Sequence, residues 1–218
     1  MPEIGCRVES IGTVAHAAVP SLRFRIEVVN LAPHQPVAGI DLRCQVLIET
    51  PRRTYSTLER YRVVELFGEA SRPVRDLLWT HASVNVPAFD EMSIVDLDVP
   101  CTFDFDVAVA KYFGALEGGD VPLCLQFSGT VFYTDAHGRL QISRIAWSSE
   151  ARCALPLAVW KELRERYYPG TTWLCLSRDS FERLCDYRRS AGLPSWEHAL
   201  DRLLAAAGEP KSVAEDAR

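Results

Sequence analysis

Apolar residues fall on alternate positions from Leu22 onward: Leu22, Phe24, Ile26 and Val28 alternate with Arg23, Arg25 and Glu27. Leu42, Cys44, Val46 and Ile48 repeat the rhythm against Asp41, Arg43, Gln45 and Glu49. A period of two gives a strand one dry face and one wet face, the mark of antiparallel sheet rather than of a parallel sheet buried on both sides. Asn30 to Gly39, with Pro33, Pro36 and Gly39, reads as the loop joining these two strands. Leu77 to Val86, Val95 to Val99, Val121 to Phe127 and Leu140 to Trp147 continue the strand pattern. Gly129 predicts a bulge, with Val131 and Tyr133 beyond it, and Asp135-Ala136-His137-Gly138 predicts a hairpin turn.

After Pro51 the period changes. Ser56 followed by Glu59 has the form of a capping box, and Leu58, Tyr61, Val64 and Phe67 recur at helical spacing before Gly68, although Val63 and Val64 also suit a strand. Asp104 and Asp106 precede an alanine-rich run, Val107 to Leu116, that closes on Gly118-Gly119 and predicts a short helix. Beyond Cys153 the pattern is helical. Pro156 suits a first turn, Trp160, Leu163 and Tyr167 share a face, and Pro169-Gly170 ends the element. Asp179 and Glu182 predict a second capping box, leading Phe181, Leu184 and Cys185. Ser195 caps a third helix with Trp196, Leu200, Leu203 and Leu204 facing inward, and Trp160, Trp173 and Trp196 are expected to fasten this end to the sheet. The sum is an α+β protein: an antiparallel β-sandwich of Ig-like, Greek-key type over residues 1–153 with short inserted helices. A helical C-terminal portion over 154–208 packs on the sheet, and 209–218 form a loose tail.

Composition narrows the classes. Of 218 residues, 48% are apolar and 24% charged, which is ordinary for a folded globular chain. A net charge of −5 argues against a nucleic-acid partner. No apolar run approaches the roughly 20 residues of a membrane-spanning helix. Met1 to Ser10 carries Glu3, Arg7 and Glu9 in place of the apolar core of a secretory signal, so the cytoplasm is the expected location. Cys6, Cys44, Cys101, Cys124, Cys153, Cys175 and Cys185 form no CxxC pair and read as small hydrophobes in a reducing compartment. No metal and no cofactor is expected.

The chemistry-bearing residues each have a structural alternative. Asp96, Asp98, Asp104 and Asp106 lack the spacing of a calcium loop and more simply mark a wet strand face and a helix cap. Arg52, Arg53, Arg60 and Arg62, interleaved with Tyr55 and Tyr61, suit an acidic partner surface or a phosphate, or else a solvated edge. His16, His34, His81, His137 and His198 stand singly. There is no GxSxG elbow, phosphate-binding loop or GxGxxG fingerprint, so no catalytic residue is assigned.

Several stretches together resemble one uncharacterised bacterial family: Leu66-Phe67-Gly68, Leu77-Leu78-Trp79-Thr80-His81, Val99 to Phe113, Phe127 to Tyr133, and Trp160 with Tyr167-Tyr168-Pro169 and Trp173. The resemblance runs from about Pro20 to Leu204. Members of that family are encoded beside actinobacterial-type, high-affinity nickel–iron hydrogenases, which implies an accessory or assembly role with a hydrogenase subunit or maturation factor as partner. The expected function is therefore a non-catalytic accessory protein that binds a protein partner. The alternative is a small-molecule-binding protein or enzyme, its pocket between sheet and helices lined by Trp79, His81, Tyr133 and Trp147.

Overall fold

Leu22, Phe24, Ile26 and Val28 are wholly buried on one side of their strand, and Leu42, Cys44, Val46 and Ile48 do the same on theirs. A computed structural model shows what they meet. It describes residues 2–32, 35–68, 75–102, 107–171 and 174–208. The chain divides into two compact units, residues 1–172 and 173–218.

The first unit is mixed α+β. One antiparallel sheet has the order β1 (Ile4–Thr13), β2 (Ser21–Asn30), β5 (Met92–Pro100). The other runs β4 (Leu77–Val86), β3 (Val37–Ile48), β6 (Asp120–Thr134), β7 (Leu140–Arg144), and β8 (Glu150–Pro156) pairs with the first half of β6. Buried residues of both sheets form one apolar cluster. Val63 of α1 (Thr57–Phe67), Tyr112 and Phe113 of α2 (Val107–Ala115), and Leu157, Trp160 and Leu163 of α3 (Leu157–Tyr167) join it. The wet face of the smaller sheet is laced with ion pairs. Arg23 grips Asp98 through two bonds of 2.7 and 2.8 Å and reaches Asp96 at 3.4 Å, while Arg7 binds Glu27. Asp96 and Asp98 are thus spent on Arg23.

Several expectations change. Strand β1 breaks its own alternation with a bulge at Glu9, where the register passes from Val8 opposite Ile26 to Ser10 opposite Arg25, so no period of two marks it. Gly129 is no bulge. It stays in register opposite Leu42 at φ 151°, and an added Cβ would lie 2.1 Å from the carbonyl oxygen of Asp41. The shift in that ladder falls at Val37/Gly39 instead. Strand β7 ends at Arg144, short of Trp147.

In the second unit α4 (Arg178–Ser190) is capped by Ser177, whose hydroxyl accepts from Ser180 N, rather than from Asp179. Ser195 caps α5 (Trp196–Ala207) as the sequence predicts. Phe181 meets Trp196 at 5.5 Å and the Arg188 guanidinium stacks over the indole at 4.0 Å. Two helices have a single seam between them. Ala199 is buried, whereas Leu200, Leu203 and Leu204 stay exposed instead of facing inward. His34, Asp104, Asp106, Trp173 and the tail 209–218 lie outside the described residues.

Candidate functional site

The arginine–tyrosine stretch splits in two. A 3-10 turn, Thr50–Arg52, leads into α1. Arg52 points outward and donates to Glu49 at 3.1 and 3.3 Å. Arg53 turns inward, its side chain 7% exposed and paired at 2.9 Å with Glu59, which is 4% exposed. It also donates to the carbonyls of Gly118 (2.5 Å) and Asp120. Glu59 closes the capping box with Ser56 and accepts the Glu117 N–H at 2.8 Å, so one buried carboxylate ties the start of α1 to the loop after α2. Burial alone would raise the Glu59 carboxyl. The backbone donors of Ser56 and Glu117 and the Arg53 guanidinium overcome this and hold it below its usual range. Tyr55 is buried too. Its hydroxyl donates to Thr50 O and lies 2.8 Å from that of Tyr112, and burial, followed by that bond, raises the Tyr112 phenol. Arg53 and Tyr55 brace the fold.

Arg60, Tyr61 and Arg62 remain on the surface of α1. Tyr61 is 63% exposed, and Val64, one turn on, is also exposed. Among the described residues no carboxylate pairs with Arg60 or Arg62. Tyr61, Arg62, Val64 and Leu66 of α1, with Lys111, Gly114 and Ala115 of α2, line a shallow depression of about 560 Å³. An aromatic ring and aliphatic floor under a cationic rim suit an acidic segment that carries an apolar side chain. Val64, Leu66 and Lys111 were not singled out from the sequence as site residues. Their shared surface depends on α1 lying beside α2.

The four proposed pocket residues do not converge. Trp79 is the extra residue of a bulge between Thr80, opposite Val46, and Leu78, opposite Leu47. The bulge turns its ring inward against Phe24 (6.5 Å) and Phe113 (5.3 Å). His81 keeps to the opposite, solvated face, although unbroken alternation would put the two residues together. There His81, Gln45, Gln126, Arg43 and Trp147 line an open groove of about 790 Å³. Tyr133, half-buried on β6 opposite Val37 and Gln141, lies outside it. The structure unites His81 with Trp147 only.

Among the described residues no three His, Cys, Asp or Glu side chains are grouped to hold a metal ion. Burial pushes the thiols of Cys6, Cys44 and Cys153 up to about 12, and burial with the nearby Glu150 carboxylate takes Cys124 to about 11. Such thiols are poor nucleophiles. No helix among the described residues is long and apolar enough to cross a membrane.

A family model described as a family of unknown function (DUF6084) matches residues 1–212. No curated protein matches the chain at a significant level. Among solved structures, the solution structure of a protein described as late embryogenesis abundant (LEA) is similar at 12% identity over 72% of each chain. Its TM-score of 0.31 is too low to bear on fold or function.

Proposed function

Starting from a chain that belongs to this family of unknown function, we propose that it is a non-catalytic accessory or assembly protein of the cytoplasm that binds a protein partner, a component or maturation factor of a nickel–iron hydrogenase. The observation that carries the docking half of this reading is Tyr61, 63% exposed at the rim of the α1–α2 depression together with Arg62, for which no carboxylate partner is found among the described residues. Exposed aromatic and arginine side chains are the residue types that dominate binding energy at protein interfaces. The chain is acidic overall, so Arg62 and Lys111 at this depression give an acidic partner segment a preferred place to land. The two antiparallel sheets with one shared apolar interior support a β-sandwich as the scaffold, and an Ig-like, Greek-key course is the form of it we adopt.

The test is affinity capture of hydrogenase subunits and maturation factors with the purified chain, followed by the Tyr61→Ala and Arg60→Glu/Arg62→Glu variants. Capture of one such component, weakened at least about tenfold by both variants at unchanged thermal stability, supports the reading. Deleting the gene from a strain that encodes such a hydrogenase checks the role in the cell. Full hydrogenase maturation in the deletion strain, together with no captured component, sinks it.

A further inference from the structure

Sheet edges offer unpaired backbone groups and are normally guarded by charge, proline or bulges. The described edges are guarded, with one exception. Strand β1 carries the Glu9 bulge with Arg7 and Glu9 in ion pairs; β5 presents Asp96 and Asp98 and ends at Pro100. Strand β4 has its Trp79 bulge and the polar His81, Ser83 and Asn85, and β8 carries the Arg152–Glu150 pair and ends at Pro156. Strand β7 has no bulge, proline or acidic residue and a single charge, Arg144 at its end, and it exposes Leu140 (64%) and Ile142 (66%).

The register shows which groups it offers. The Ile145 N–H bonds inward to the Gly129 carbonyl at 3.1 Å. Antiparallel ladders alternate, so Gln141 and Ser143 face β6, and the N–H and C=O groups of Leu140, Ile142 and Arg144 turn to the open side. The side chains of Leu140 and Ile142 stand opposite Thr134 and Phe132 on the outer face of the sheet. Trp147, 95% exposed, lines the groove on that face and contributes nothing visible to the packing of its own chain.

We propose that β7 is the seam of a homodimer, in which two copies pair this strand antiparallel about a two-fold axis through Ile142. A second copy fits because the edge is self-complementary. With Ile142 opposite its own copy, Leu140 faces Arg144 of the other chain, and all three outward-facing residues become hydrogen-bonded pairs, giving about six backbone bonds. The central pair is Ile142 on Ile142, with Leu140 of each chain beside it, so no like charges meet at the axis. The same pairing shelters the exposed aliphatic side chains of Leu140 and Ile142. A ladder of this length makes a weak, concentration-dependent dimer rather than an obligate one. This surface is separate from the α1 docking face, and either stands without the other.

Sedimentation velocity on the full chain over a roughly hundredfold concentration range reads the association. Ile142→Pro removes only the N–H that points to the open side, at an edge where proline is tolerated. The expected result is a monomer–dimer equilibrium in the wild type, weakened at least about tenfold in Ile142→Pro at unchanged circular dichroism. If that variant fails to fold, Ile142→Lys is read in its place. A wild type that stays monomeric throughout, or a folded variant that dimerises as the wild type does, overturns the proposal.

Discussion

Replacing Glu59 by glutamine keeps the size of the side chain and a residue type compatible with a capping box, but leaves one acceptor oxygen where Glu59 uses two, Oε2 for Ser56 N and Oε1 for Glu117 N. It also removes the charge opposite Arg53. Both members are almost fully enclosed, at 7% and 4% exposure, so solvent cannot take over as counter-charge. Removing one partner of a buried pair costs about 3–5 kcal/mol, most of it the penalty of the charge left behind. That is well above the roughly 1 kcal/mol of a lost helix cap, which Ser56→Ala would report. Urea unfolding followed by tryptophan fluorescence measures the loss, with the buried Trp79 and Trp160 as reporters. In the cycle with Arg53→Met the double variant should lose less than the sum of the single losses, by at least about 1 kcal/mol. The pH dependence has a definite sign. A carboxyl held below its unfolded value stabilises above that value and loses its contribution as pH falls through the folded one. The gap between wild type and Glu59→Gln should therefore be full at neutral pH and shrink below about pH 4. A loss of under about 1 kcal/mol at neutral pH would refute the assignment of this pair as the tie between α1 and α2.

Other sites separate packing from exposure. Gly129→Ala drives a methyl against the Asp41 carbonyl at positive φ and should cost about 3 kcal/mol or more in urea. Gly114→Ala, in α2 with nothing within 4 Å, should instead gain about 0.5–1 kcal/mol. Trp79→Ala opens the aromatic core and should cost about 3–5 kcal/mol, whereas Trp147→Ala should change the unfolding free energy by under about 0.5 kcal/mol. In thiol labelling of the native protein the exposed Cys175 should react at once. Cys44, which is buried, should react only on unfolding, and the partly exposed, high-pKa Cys6 and Cys153 more slowly than Cys175; rapid labelling of Cys44 in the native protein would contradict its enclosure.

The alternation in β2 and β3 was enough to identify their dry faces, because burial on one side of a pleated strand imposes a period of two directly on residue type. Ser56 and Glu59 announced the start of α1 for a similar reason: the capping box closes within four residues and needs nothing from the rest of the chain. Whatever depended on an interruption of that order was illegible. The bulge at Glu9 hid β1, and the bulge at Trp79 moved an indole to the opposite side of the sheet from His81, dissolving a pocket that parity alone would have built. The arginine stretch looked uniform in sequence, yet Arg53 is an internal brace while Arg60 and Arg62 stay at the surface with no carboxylate partner among the described residues. Which guanidinium turned inward was decided by the carbonyls of Gly118 and Asp120, some 65 residues further along. Short-range hydrogen bonding and periodicity are written locally. The partner of a buried charge, the phase of a strand after a bulge and the exposure of Ile142 on an unpaired edge exist only once distant segments have come together.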